Sequence, residues 1–365
     1  MKAACTTVAM LLALSLSGCA DRGAGAMLAD YRARVQRASG AEVRPPEVAP
    51  APTYPTHRLR RVDVPEVRGS LWELLFDLPD CGLGHLVSER NSILGRYWPA
   101  TQRLSYELRF AIGLRRCRAQ FADSSDPDLR AWHARLLEIG AAKRGVLPAV
   151  WWAVTYDSPE FAAAFSPAAA PLAAEAPPSH GALSALEALL GLAPRWDDPR
   201  PLDDVRRLDG HLQQLAISER GGALIRSQQI LIRELDAASL ALEQAWAARL
   251  CPQAVPTPRA RILHNVFLKF YAAQVQPYMA LIQHEGTAWL QLHQRLLQTQ
   301  AVTPPPDFRA FAGVALSRED GSLWARWNAA RQRHVHAWQQ VLQQCSLMPG
   351  SGNPPAAHGG APARP

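Results

Sequence analysis

Residues 202–220 read LDDVRRLDGHLQQLAISER, and Val205, Leu208, Leu212, Leu215 and Ala216 recur in it at spacings of three and four. That is the period of a helix with one buried stripe. Residues 277–299 repeat the pattern with Leu281, Ala288, Trp289, Leu292 and Leu296. Working outward, the same periodicity predicts helices over roughly 70–79, 82–92, 99–121, 126–144, 147–155, 182–192, 222–250, 259–275 and 319–345. A further short helix is possible within the Ala and Arg rich stretch 20–39. No comparable run alternates with period two, so the fold class is all-α, a multi-helix bundle. Helices of about 20 to 29 residues build a body about 30 to 40 Å tall at 1.5 Å per residue. Pro and Ala rich stretches at 166–179 and 301–307 interrupt the pattern. Within a helical domain spanning 70–348, residues 166–180 are a candidate subdomain break, with one continuous bundle as the alternative.

The N-terminus bears on location. Lys2 precedes an apolar run from Val8 to Leu16, too short to span a bilayer as a mature helix, and then Leu16-Ser17-Gly18-Cys19. The tetrad resembles the bacterial lipobox. The resemblance implies that residues 1–18 are a signal peptide, that Cys19 is acylated, and that the protein is anchored by acyl chains such as palmitate. Ala20, not Asp, follows the Cys, which favours the periplasmic face of the outer membrane. Residues 19–69 then read as a lipidated tether and extended arm, Pro-rich over 40–55 and with Pro65 opposing helix in HRLRRVDVPEVRGS. Ser70 is an N-cap for LWELLFDL. The tail 349–365, PGSGNPPAAHGGAPARP, has nothing to bury and is expected to be disordered.

In that compartment the four remaining cysteines, Cys81, Cys117, Cys251 and Cys345, read as two disulfides with three possible connectivities. Each pair Cys81/Cys117 and Cys251/Cys345 falls near the ends of predicted helices, which favours those two bonds. Loop entropy assigns them up to about 4 and about 4.6 kcal/mol. No CxxC or His stands at ligand spacing, so no metal and no other cofactor is expected.

The formal charge is +7, with 39 Lys and Arg against 32 Asp and Glu, and all but Lys2, Lys143 and Lys269 of the cations are Arg. The excess is not a nucleic-acid footprint. Residues 19–61 hold eight cations against four anions, whereas 146–220 hold five against ten. The basic part lies beside the proposed anchor, where anionic lipid attracts it.

Residues 81–107 read CGLGHLVSERNSILGRYWPATQRLSYE. With its Cys, its ERNS-LG core and the pattern of Gln102, Arg103, Leu104, Tyr106 and Glu107, this stretch resembles the domain of unknown function 3080, an uncharacterised bacterial lipoprotein family. The resemblance implies a helical lipoprotein and carries no mechanism. Read as residues, Arg90 falls on the stripe of Leu83, Leu86 and Val87, and Glu107 on that of Leu104, Leu108 and Ala111. A guanidinium on an apolar stripe needs a partner. The expectation is an Arg90–Glu107 ion pair within a structural polar network of Glu89, Arg90, Asn91, Ser92, Arg103 and Glu107, with Asn91 or Ser92 capping the turn.

Other candidates carry less. His334 and His336 point about 200° apart on a helix and cannot share a metal. His284-Glu285 is an adjacent pair, one packed and one solvated. Gly221-Gly222 lacks the strand and the GK[ST] of a phosphate loop and reads as the break between two long helices. Arg115, Arg116 and Arg118 suit the C-terminal end of a helix dipole. The leading functional expectation is a non-enzymatic envelope interaction or structural factor, with an envelope protein partner and no nucleic acid. The alternatives are an enzyme on peptidoglycan or lipid using Glu89, Glu107, His284 or Glu285, and a scaffold holding an apolar ligand between helices.

Overall fold

The computed structural model describes residues 23–47, 49–67, 78–175, 180–202 and 205–349. The signal segment, Cys19, most of the helix capped by Ser70, and the tail beyond 349 lie outside these residues. Among the described residues every regular element is helical, an all-α fold. In chain order they are α1 (Ala24–Ser39), α2 (His57–Arg60), α3 (Leu83–Asn91), α4 (Ile93–Arg96), α5 (Ala100–Phe121), α6 (Pro127–Arg144), α7 (Val146–Val154) and α8 (Pro159–Ala164). They continue with α9 (His180–Gly191), α10 (Val205–Ser218), α11 (Arg220–Ala247), α12 (Pro258–Val266), α13 (Gln276–Gln298), α14 (Pro306–Ala315) and α15 (Leu323–Gln344).

The longest helix, α11, is the spine: α15 and α1 lie along it, and α12 closes over α1. α11 buries most of its circumference, including Leu224, Leu231, Leu235, Ala238 and Leu242, because it has neighbours on several sides. α1 is therefore part of the body. Leu28, Tyr31 and Val35 are buried in the main core, and Arg32 reaches Glu234 on α11 at 2.6 Å. Residues 24–47 and 49–60, expected to belong to a tether and extended arm, are instead packed on the body. The Pro-rich segment after α1 is likewise held down. The Tyr54 hydroxyl donates to the Tyr156 carbonyl at 2.5 Å, and its ring stacks on Phe165. Arg60, on the short α2 that the arm reading did not foresee, is buried and donates to the carbonyls of Pro55 and Asp157, while Trp152 Nε1 donates to the Arg60 carbonyl at 2.8 Å. Proline-rich chain forms no ladder of its own, so its carbonyls were free to be taken by side chains of the body.

Residues 166–175 run along the main core. The main core draws side chains from before and after them, from Leu28 to Leu342, and α8 packs on α10 across them. Ser227 pins the stretch to α11, accepting from the Leu172 amide at 2.9 Å and donating to the Ala223 carbonyl at 2.8 Å. A second, smaller core lies earlier, where Leu83, Val87, Tyr106, Phe110, Leu114, Leu136 and Ile139 bring α3, α5 and α6 together.

Helix ends follow local chemistry. Asp126, Ser158, Thr257 and Ser322 accept amides in the first turns of α6, α8, α12 and α15, three of them followed by Pro at the first helical position. The break between α10 and α11 falls at Glu219, which takes the left-handed conformation with φ +44°. Gly221 and Gly222 stand just past it, inside the first turn of α11, and serve packing: a Cβ on Gly222 would collide with the Ser166 carbonyl and lie 2.9 Å from Ala169. Between α12 and α13 the chain does not break at Pro277. It winds as a π-helix over Phe267–Val275, and the Gln276 amide bonds to the Tyr271 carbonyl five residues back. Pro277 lacks an amide hydrogen and its ring crowds the carbonyl four residues earlier, and the wider winding relieves that crowding. No helix among the described residues is long and apolar enough to cross a membrane.

Candidate functional site

The stretch 81–107 folds as α3, the one-turn α4 and the first two turns of α5. Leu83 and Val87 bury one face of α3 against α5, and Cys81 is bonded to Cys117. Glu89 is locked across the same interface, receiving Arg109 in two hydrogen bonds of 2.8 and 3.1 Å. Ser92 ends α3 with extended backbone and caps α4: its hydroxyl donates to the Glu89 carbonyl at 2.8 Å and accepts the Gly95 amide at 3.0 Å. Arg90 turns onto the same corner, donating Nη1 to the Gly95 carbonyl, with its guanidinium 5.9 Å from the centre of the Trp98 ring. Gly95 is required there, since a Cβ would lie 2.5 Å from the carbonyl oxygens of Glu89 and Arg90. Asn91 is exposed, so the cap falls to Ser92.

The expected Arg90–Glu107 pair does not form. Glu107 is 1 % exposed and faces α6, where Lys143 donates to its two oxygens at 3.0 and 3.2 Å. Arg103, one turn before Glu107, stands 4.0 Å from it. The cation that meets Glu107 comes from α6 and not from the preceding helix α3. The Lys143 ammonium also lies over the rings of Tyr106 and Phe110, 5.2 and 4.8 Å from their centres. Burial pulls the Lys143 pKa below its ordinary value, and Glu107 opposes that shift. Burial likewise lowers Arg103 and raises the Tyr106 phenol. A proton leaving this network would strand a carboxylate out of water, so the arrangement holds charge in place.

A second polar chain was not foreseen. The Trp338 indole donates to Tyr31 Oη at 2.7 Å, and that hydroxyl lies 2.6 Å from His334 Nε2. His334 Nδ1 lies 2.9 Å from Ser239 Oγ, which donates to the Leu235 carbonyl at 2.6 Å. Because the serine proton is committed to Leu235, Ser239 accepts from Nδ1–H, and Nε2 accepts from Tyr31. The directions run one way through four side chains and end on backbone. His334 is fully buried, and desolvation lowers its pKa to about 3. The sequence signal was present but faint: His334 shares one face of α15 with Trp327 and Trp338, an apolar stripe on which a buried imidazole must find partners. His293 is the second fully buried imidazole, set among Tyr156, Phe161, Phe165 and Trp289, and burial lowers it to about 3 as well.

The adjacent pair His284-Glu285 divides as read: His284 is exposed and Glu285 is buried, 3.6 Å from Arg220. Beside them, Phe165, Leu224, Trp289, Leu290 and Trp324 line a cavity of about 10 Å³, room for about one water and no apolar ligand. A larger cleft of about 790 Å³ lies between Leu108, residues 190–202 and Thr299. Arg116, one of the arginine cluster, donates to the Cys81 carbonyl at 2.7 Å, and Arg115 to the Asp197 carbonyl at 2.5 Å. The other two cysteines are bonded, Cys251 to Cys345, joining the segment after α11 to the end of α15 beside Ala260. No group of three or more His, Cys, Asp or Glu among the described residues is placed to hold a metal ion.

Fold and site together define an all-helical, doubly disulfide-bonded protein in which Glu107 is paired with Lys143 and His334 is bonded to Tyr31 and Ser239. The chain belongs to the family described as protein of unknown function (DUF3080), whose model matches residues 28–349. Comparison with curated proteins and with solved structures finds no match.

Proposed function

We propose that the protein is a lipid-anchored factor of the bacterial envelope, on the periplasmic face of the outer membrane, that works by contact with an envelope partner and not by catalysis. Leu16-Ser17-Gly18-Cys19 supports the anchor, and two disulfides suit an oxidising compartment. The observation that carries the non-catalytic reading is Glu107, one of the carboxylates named above as a candidate for catalysis. It is 1 % exposed and bonded through both oxygens to Lys143, so it has no route to a substrate. The test has two arms. Cys19→Ser releases the protein into the soluble periplasmic fraction, and persistence with membranes would refute the anchor. Crosslinking of the lipidated protein in cells recovers a defined partner. Turnover of peptidoglycan or phospholipid by the pure protein, lost in Glu107→Gln, would overturn the reading.

A second reading, the scaffold for an apolar ligand, draws on the 790 Å³ cleft, whose wall carries Leu108, Leu190, Leu192 and Leu202 beside Arg195 and Thr299. Native mass spectrometry of protein purified from membranes would then show a bound amphiphile, lost on Leu190→Glu.

A further inference from the structure

Ile93, Leu94 and Tyr97 are 80, 80 and 85 % exposed, all on or just after the single turn of α4. Spacings of three and four place Tyr97 beside both of the others, so they form one apolar tip. Exposed apolar residues on a slack loop are ordinary, but this turn is built. Ser92 caps it, Arg90 clamps the Gly95 carbonyl, Gly95 permits the close approach of Glu89 and Arg90, and the Glu89–Arg109 pair fixes the base of the turn to α5. The polar residues of the ERNS stretch thus hold three apolar side chains out in water.

Two observations say what covers them. First, three nearly naked side chains on a single turn offer far less than the ~800 Å² per partner of a standard protein interface. Second, the charge beside them is cationic: Arg96 is exposed on the same turn and Arg90 lies behind it, while Glu89 and Glu107 are paired with Arg109 and Lys143, and Arg103 is shared between Glu107 and Glu66. A tyrosine, aliphatic side chains and arginines at one projecting point suit the interface of an anionic bilayer.

We infer that the α4 tip is a membrane-contact element that inserts Ile93, Leu94 and Tyr97 into an anionic lipid surface. This rests on the anchored reading above, and the chain length makes the two consistent. The first described helix begins at Ala24, five residues after Cys19, so an acylated Cys19 holds that helix end within about 17 Å of the lipid. Contact of the tip with that surface adds a second attachment.

The test uses the full mature chain with Cys19→Ser, so that no acyl chain contributes, and vesicles of phosphatidylethanolamine with phosphatidylglycerol. The protein floats with these vesicles and less with phosphatidylcholine alone. Ile93→Ser, Leu94→Ser and Tyr97→Ser combined cut partitioning by at least about tenfold, while Ile217→Ser, at an exposed residue elsewhere, changes nothing. An environment-sensitive dye on Leu94→Cys shifts to the blue with vesicles, the other four cysteines being bonded. Any of the following results overturns the inference. One is equal flotation of the triple variant, or no flotation of the parent. Another is a concentration-dependent dimer abolished by the triple variant, which would make a second copy the occupant. The last is a crosslink from position 94 to a single envelope protein without any lipid binding. Failure here leaves the Cys19 fractionation result standing, so the two readings fail separately.

Discussion

The hydroxyl of Tyr31 lies 2.6 Å from Nε2 of His334, 303 residues further along the chain. This contact fastens α1 to α15 and makes the first described helix a load of the last. The chain of donors through Trp338, Tyr31, His334 and Ser239 leaves no spare acceptor or donor on the imidazole, which sets what protonation must do.

Stability is expected to fall as pH drops from about 6.5 toward 3. The sign follows from the two imidazoles: unfolded, His293 and His334 take up protons below their ordinary value of 6.5, while in the folded state they stay neutral down to about 3. Between those values the unfolded state binds about two more protons, each worth about 1.4 kcal/mol per pH unit. Urea unfolding at pH 7, 6, 5 and 4 reads this slope. In His334→Gln the slope drops by about one proton, and an unchanged slope would mean that His334 is already protonated when folded.

Single deletions along the donor chain are expected to differ. Ser239→Ala strands the Nδ1–H of a buried imidazole, a loss of about 1–3 kcal/mol. Tyr31→Phe costs about 1 kcal/mol, because the Trp338 indole already stands 3.2 Å from His334 Nε2 and takes over the vacated acceptor. Equilibrium unfolding of the two variants at pH 7 ranks them, and a larger loss for Tyr31→Phe would contradict the assigned directions.

Lys143→Met is expected to destabilise by about 3–5 kcal/mol, since it leaves Glu107 charged and buried. Pairing it with Glu107→Leu recovers most of that loss, because the desolvation cost disappears together with the attraction. Arg90→Met leaves the Glu107–Lys143 pair intact and frees the Gly95 carbonyl, for about 1 kcal/mol. Denaturation midpoints of the four proteins decide, and an Arg90→Met loss equal to that of Lys143→Met would revive the pairing expected from sequence.

Two helical glycines should respond in opposite directions. Gly210, inside α10, has nothing within 4 Å of an added Cβ, and alanine there gains up to about 1 kcal/mol of helix propensity. At Gly222 the same gain is overcome by collision with the Ser166 carbonyl and Ala169, for a net loss of about 1–3 kcal/mol. Thermal melts of the two variants give opposite shifts in Tm.

How much was legible followed the range of the interactions. The stripe of Leu208, Leu212 and Leu215, all buried as the period required, placed α10, and the same reasoning placed the other long helices within a few residues. The six-residue α8 escaped because fewer than two turns hold too few residues to show a period, and α14 escaped because its start lies in the Pro-rich stretch 301–307 that was read as an interruption. The Pro306-Asp307 start and the Phe308/Phe311 pair of α14 were the available clue. The disulfide pairs were legible because helix ends are marked locally. The partner of Glu107 was not: a stripe tells which face of a helix is buried and not which neighbour faces it.

By itself, then, the sequence determined the helices, their buried faces, both disulfides and a lipobox-like start, since each depends on residues a few positions apart. Only the tertiary structure decided that Lys143 and not Arg90 meets Glu107, that residues 24–47 and 49–60 pack on the body, and that the ERNS stretch builds a projecting apolar turn. Those outcomes depend on which helix packs beside which, and that is set by the burial of whole faces, a property of the assembled core that no local spacing encodes.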